Sequence, residues 1–381
     1  YDDIDKANYV KRVISDWIAE NECWRGPNWN VAMEVGIRAA NIVLVCELIW
    51  KFAITDVDFI NQLVRSLNEH RRFIRLNLEN IVSHTSNHYL GDLIGLLSIC
   101  IFKIEVGFEE SREELDDLKQ RFETEISTQV LPDGSLKEGS ISYLRLDVEF
   151  FAAACIMFRN QGLILTKRYI DRLRNMAVFL KQAEGFDGAF FQVGDTDSGR
   201  LFQLFIDDVQ NSDFANRLAI YSCKSCNWDD ASGMPAYDKE YANHSSVVRI
   251  VDENHAVVST DLFRMLFNNV STDMYDHRHY DALSIVLSYK GADFFIDPGT
   301  GSYTGRPDLR KTLRASAAHS CVEVVYDHTA VTDSFPTKQS LCLASMPTGK
   351  SILLRGVADF DNIIHVEHSR EIVIQSDFKK L

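Results

Sequence analysis

The chain has 381 residues, 46% of them hydrophobic and 25% charged, which excludes a disordered or fibrous protein and leaves room for two domains with separate cores. Its formal charge of −15 argues against a nucleic-acid groove or an anionic membrane as the main partner. No apolar run reaches the length of a membrane span, and the longest, 42–50, is broken by Glu47.

Apolar residues recur at helical spacing over 9–18, 32–52, 57–81, 89–104, 113–130, 143–159, 167–183 and 200–219. Turn material separates them, as at Arg25-Gly-Pro-Asn28, Leu131-Pro-Asp-Gly134 and Gly185-Phe-Asp-Gly188. Several of these helices are apolar on more than one stripe, which predicts paired layers around an axis. From about Ser245 the period changes to two. Strands are predicted over 246–251, 263–267, 282–289, 292–296, 321–325, 351–355 and 363–367, with a tight hairpin at Lys290-Gly291. The expected organisation is a helical domain over 1–235 and an antiparallel β-sandwich over 240–381 that continues to the last residue without a closing tail. The chain starts at Tyr1 with neither an initiator Met nor a signal-peptide core, so a processed chain or a fragment is expected.

Eight cysteines lack the spacing of a disulfide framework. Cys46, Cys100 and Cys155 lie in helical apolar runs and read as buried thiols. Cys223-Lys-Ser-Cys226 has redox or zinc spacing, but no second Cys/His pair lies near it.

The polar constellations carry the chemistry. In Tyr275-Asp-His-Arg-His-Tyr-Asp281, His277, His279 and Asp281 alternate, so an extended chain would present all three on one face, suited to a divalent metal or to acid/base work. His84-Thr-Ser-Asn-His-Tyr89 precedes an apolar helix, where Asn87 and His88 can donate to a carboxylate, or Ser86 or Asn87 can cap the helix. A loop runs from Leu131 to Tyr143 at the next helix start. Gly194-Asp-Thr-Asp-Ser-Gly-Arg200 is a compact turn, Phe295-Ile-Asp297-Pro-Gly-Thr-Gly301 ends a strand, and Arg314-Ala-Ser-Ala-Ala-His319 is expected to enter another.

As an ordered set, together with Trp29-Asn-Val-Ala-Met-Glu-Val-Gly-Ile-Arg38, these segments resemble the heparinase II/III-like polysaccharide lyases, including the related alginate and oligoalginate lyases. The resemblance runs from about residue 24 to 325. It departs from the family pattern at Asp276, Arg278 and Tyr280, bulkier than usual, and at Ser320 and Cys321, which follow the last His. It implies an incomplete α/α toroid followed by antiparallel sheets, with the active site in the cleft between them. It implies β-elimination on a uronate-containing acidic glycan, with Tyr143 and His277 as acid and base and with Asn87 and His88 neutralising the uronate carboxylate. Arg145, Arg200, Arg278, Tyr303 and Arg314 are the candidate substrate-binding residues, and His88, Arg145 and Arg278 are candidates to lower the Tyr143 pKa. His279, Asp297 and His319 are implied ligands of a structural divalent metal, zinc by donor type. From spacing alone His277 could equally be a ligand and Asp281 could replace Asp297.

Two other readings stay open: a glycoside hydrolase using Asp195 with Asp197 or Glu138 with Glu149, and a non-catalytic glycan-binding or polysaccharide-assembly protein. The charge of −15 favours a carboxylate-only polymer over a densely sulfated one. The resemblance suggests a periplasmic or secreted protein, whereas the cysteines would suit a reducing interior; the sequence carries no signal for oligomeric state.

Overall fold

The structure is a computed structural model, and it describes residues 3–80, 85–186, 190–202, 215, 217–219, 222, 247–251, 255–260, 262–268, 277–345 and 351–375. Eight helices open the chain: α1 (Ile4–Glu20), α2 (Ala32–Leu48), α3 (Trp50–Ala53), α4 (Val57–Leu76), α5 (Asn87–Glu105), α6 (Glu113–Gln129), α7 (Ile141–Asn160) and α8 (Lys167–Gln182). Side-chain caps start five of them, with Asp3, Asp56, Ser86, Ser140 and Thr166 accepting from backbone N–H groups of the first turn. α4 buries one stripe, including Leu63, Leu67, His70 and Ile74. α5 and α7, by contrast, are buried on nearly every side and form the inner layer. The helical signature sits in α2, where Gly36 meets Gly91 and Gly95 of α5. A Cβ on Gly95 would lie 2.3 Å from the Gly36 Cα, so the two backbones touch. This is the paired-layer arrangement of an incomplete α/α toroid.

The expected helices hold, with three corrections. The 32–52 helix breaks at Ile49, whose φ of −111° leaves α3 as a separate turn. The 57–81 helix ends at Leu76, capped by Asn77. No helix starts at Arg200; residues 199–202 are irregular because buried side chains of α7 take their backbone, Glu149 accepting from Leu201 N at 2.8 Å and Arg145 donating to Gly199 O. Cys223-Lys-Ser-Cys226, His84 and the expected domain boundary at 235–240 lie outside the described residues. Among the described residues, no helix is long and apolar enough to cross a membrane.

The second region holds an antiparallel five-stranded meander, β1 (Val247–Val251), β2 (His255–Ser259), β3 (Phe263–Asn268), β4 (Ser284–Tyr289) and β5 (Ala292–Phe295). Lys290 and Gly291, with φ of 50° and 81°, turn β4 into β5 as a primed hairpin. A short ribbon, β6 (Val325–Tyr326) with β7 (Thr329–Ala330), precedes a three-stranded sheet of β8 (Lys338–Ser345), β9 (Ser351–Phe360) and β10 (Val366–Gln375). Alternation sorts the meander's side chains. Ala256, Val258, Met265 and Phe267 pack against Leu354, Ala358, Phe360 and Ile374 of the three-stranded sheet, while Val257, Leu266 and Val286 join the helical core. The sheets therefore form a sandwich whose first sheet also backs onto the toroid.

Strand expectations need more correction. The 321–325 strand shrinks to Val325–Tyr326, the 363–367 strand starts at Val366 and runs to Gln375, and the 282–289 strand starts at Ser284. Arg314 to His319 enters no strand: Arg314 ends a short helix, α9 (Pro307–Arg314), and Ser316–Ala318 is a 3-10 turn.

Candidate active site and metal group

Ser140 caps α7, so Tyr143 lies in its first turn; Tyr143 N donates to Ser140 Oγ at 3.4 Å, and Ser140 Oγ donates to Asp195 O at 2.7 Å. The Tyr143 ring stacks on the His277 imidazole, with centroids 3.7 Å apart and planes 16° apart. Its hydroxyl lies 2.8 Å from that of Tyr303, and the Arg310 guanidinium sits 5.0 Å above the Tyr303 ring. Burial, then the Tyr303 hydroxyl and the charges of Asp197 and Asp195, push the Tyr143 pKa far above that of an ordinary phenol. The Tyr303 phenol, also through burial first, rises to about 12. Both hydroxyls therefore keep their protons at neutral pH, and the expected lowering of Tyr143 by cations is corrected.

Asp195 stands at the centre of the site. His277 Nδ1 lies 3.2 Å from its Oδ2 and His279 Nε2 lies 3.0 Å from its Oδ1. Thr300 Oγ1 donates to Oδ1 at 3.0 Å, and Arg310 Nη2 donates to Oδ2 at 2.6 Å. Burial alone would raise this carboxyl, but the bonds from His277, His279 and Arg310 hold it far below the usual carboxylate range. The residues 277–281 are not an extended strand, yet His277 and His279 still converge, because both reach the same carboxylate.

His279, Asp297 and His319 form a group able to hold a metal ion, each offering a ligand atom within 4.8 Å of the others. His279 Nδ1 is 3.7 Å from Asp297 Oδ1, and His319 Nδ1 is 3.4 Å from Asp297 Oδ2. His279 Nδ1 is buried with no hydrogen-bond partner, as the lone pair of a metal ligand would be, while its other nitrogen faces Asp195. The residues fit a metal on these grounds. Asp281 stays outside the group; its Oδ2 accepts from Asn268 Nδ2 at 2.6 Å.

At the mouth of α5, Ser86 is the cap and Asn87 the first helical residue. Asn87 is fully buried, and its Nδ2 donates to Glu138 Oε2 at 3.0 Å. His88 is more exposed; its Nδ1 lies 2.9 Å from Glu79 Oε1, and that bond raises its pKa. Both face carboxylates of the protein, a partnership absent from the sequence reading. Glu138 links this corner to the rest: its neighbour Lys137 accepts from Arg278 Nη2 through its carbonyl, and Gly139 packs against the Arg278 side chain.

The expected cationic substrate contacts sort differently. Arg145 is fully buried and donates to the carbonyl of Gly199, because two residues along a helix turn it away from Tyr143. Arg278 is buried against the 137–139 loop. Arg200 lies 3.8 Å from Glu149, and Arg314 donates to Arg278 O at 3.1 Å while lying over the Tyr280 ring. Arg145 and Arg278 are held by backbone carbonyls of the protein in this conformation, whereas the Tyr303 hydroxyl meets that of Tyr143.

Residues 7–187 match the Heparinase II/III N-terminus, and residues 246–381 match Heparinase II/III-like, C-terminal. The chain belongs to the heparinase II/III-like family. No curated protein matches its sequence. Among solved structures it is similar to the heparan sulfate lyase HepC from Pedobacter heparinus, with a TM-score of 0.64 and 17% identity over 98% of this chain and 57% of that one. It is also similar to a structure described as Heparinase III, with a TM-score of 0.69 and 17% identity over 98% of this chain and 58% of that one. The chain thus spans less than two thirds of the length of these structures, and identity at this level carries the fold alone.

Within this heparinase II/III-like site, sequence reasoning undervalued Asp195, read only as half of a hydrolase pair, and missed Arg310. The signal for Arg310 was the stretch Pro307-Asp-Leu-Arg-Lys-Thr-Leu-Arg314, with Pro at the helix start and cations at its end.

Proposed function

We propose that this chain is a polysaccharide lyase that cleaves a uronate-containing acidic glycan by β-elimination. The observation that carries the reading is the Tyr143 ring stacked on His277, with its protonated hydroxyl beside that of Tyr303. A base removes the proton on C5 of the uronate, the C4–O bond breaks, and an acid protonates the departing oxygen. His277 is the base. Tyr143, which keeps its proton at neutral pH, is the acid. His88, drawn toward its charged form by Glu79, neutralises the uronate carboxylate, with Asn87 held beside it by Glu138. His279, Asp297 and His319 would hold a structural zinc, whose contribution is to pin the strand end and loops that carry His277. Both solved neighbours are described as lyases or heparinases, which supports an acidic polysaccharide substrate.

The hydrolase alternative finds less support. Asp195 already accepts four hydrogen bonds, and Glu149 faces the toroid interior, bonded to the backbone of Leu201. Incubation with a panel of uronate polymers tests the reading through ultraviolet absorbance. A lyase produces a conjugated, unsaturated uronate; a hydrolase produces reducing ends without absorbance; a binding protein produces neither. Tyr143→Phe should lower kcat by at least about 1,000-fold with binding largely kept, because it removes a proton used only in the transition state. Weaker binding with unchanged turnover would refute the acid role.

A further inference from the structure

We propose that Asp195 is a positioning residue that couples the base to the metal group, one carboxylate setting the tautomers of His277 and His279 together. Its catalytic half rests on the lyase reading; its metal half does not.

The argument starts from acceptor capacity. A carboxylate has two oxygens with about four acceptor positions and no donor. Here all four are taken: His279 Nε2 and Thr300 Oγ1 on Oδ1, His277 Nδ1 and Arg310 Nη2 on Oδ2. Each partner must therefore present a hydrogen. That places the proton of neutral His277 on Nδ1 and leaves Nε2 with the lone pair a base needs. It places the proton of His279 on Nε2 and leaves Nδ1 with the lone pair a metal needs. The second consequence agrees with an independent fact, since His279 Nδ1 is buried and has no hydrogen-bond partner.

The backbone of the same residue extends the coupling to the acid. Asp195 N donates to His277 O at 2.8 Å, and Asp195 O accepts from Ser140 Oγ, the cap of the helix that carries Tyr143. Gly194 permits this crowding. Its φ is +70°, and a Cβ there would lie 2.5 Å from His277 O and 3.0 Å from Gly139 O. Acid, base and metal ligand are thus hung on one residue of the helical region, although two of the three belong to the β region.

Two measurements test this. In the unaltered protein labelled with ¹⁵N-histidine, the nitrogen shifts should report His277 as the Nδ1–H tautomer and His279 as the Nε2–H tautomer, with single-histidine variants giving the assignments. The reverse tautomer at either residue overturns the proposal, and this arm needs no Asp195 variant to fold. The second measurement uses Asp195→Asn, which keeps the shape and replaces one acceptor oxygen with a donor. Titration of Zn2+ alone should show affinity lowered by about 10- to 100-fold. On the polymer that the unaltered protein cleaves best, kcat should fall by at least about 100-fold with KM changed less than about threefold. Unchanged Zn2+ affinity, or a loss confined to KM, overturns the coupling. If the unaltered protein eliminates no polymer, the lyase reading fails alone, and the tautomers and Zn2+ affinity still decide the coupling.

Discussion

Two buried carboxyls near Tyr143, Asp195 and Asp147, live under opposite rules. Asp195 lies in the turn after the toroid helices and is met by four donors, so burial is overcome and the charge is kept. Asp147 lies one helical turn beyond Tyr143 on α7, fully buried, and neither of its oxygens has a hydrogen-bond partner. Burial, then the charge of Glu138, pushes its pKa well above the usual value. Glu149, further along α7, is raised to about 8 by the same burial, despite bonds from the backbone of Leu201 and Phe202. Depth alone does not decide whether an acid ionises; the supply of donors does. The charged acid is the one that organises the site, and the raised acids lie in the toroid interior.

The widest gap should open when each acid is removed. Asp195→Ala leaves Arg310 and two histidines without their shared acceptor and should cost about 3–5 kcal/mol in denaturant unfolding. Asp147→Asn should cost less than about 1 kcal/mol, since no bond is lost. Equal losses would erase the distinction. Metal removal probes the charged side alone: a chelator should lower unfolding stability by about 2–4 kcal/mol in the unaltered protein and far less in His319→Ala.

The raised side is tested by pH. An unfolded Glu149 gives up its proton near 4.5, whereas the folded one holds it until about 8. A raised folded pKa means stability is full below the unfolded value and falls as pH climbs through that window. Glu149→Gln should therefore be worth about 4 kcal/mol more stability, relative to the unaltered protein, at pH 8 than at pH 4. A pH-independent difference would contradict the raised carboxyl. The smallest effect belongs to the hydroxyl between the two regions. Tyr303→Phe takes away the partner of Tyr143 and should reduce kcat about tenfold, with KM nearly constant.

Much of this was legible beforehand, and the failures have physical causes. α5 and α7 could be read because long apolar faces mark them, and at α5 Ser86 or Asn87 also announces the start. β2 was missed because Ala256, Val257 and Val258 are all buried, and a strand covered on both faces loses its alternation. The 321–325 run was over-read because Val322 and Val325 are exposed and the pairing is limited to a two-residue ribbon, although Val324 packs against the second core. α9 carries no buried residue, so no apolar stripe could betray it. At the site, the structure brings Tyr143 against His277 and groups His279 with Asp297 and His319, the groupings expected from the sequence. Which of Asp195 and Asp197 would sit beneath the histidines was not legible, since that depends on contacts from a distant part of the chain. Arg145 was misjudged by treating nearness in sequence as nearness in space.

The glycine contact between α2 and α5 has a bearing on redesign. Gly91 lies one turn after Asn87 and His88, and it packs against Met33 of α2. Where Gly36 meets Gly91 and Gly95, no side chain cushions the two backbones, so α5 is seated directly on α2. Its first turn is therefore aimed from behind, by a joint that never meets solvent. Changes to side chains around Tyr143 and His277 would leave this alignment intact, whereas one extra methyl group at the joint would displace Asn87 and His88 together.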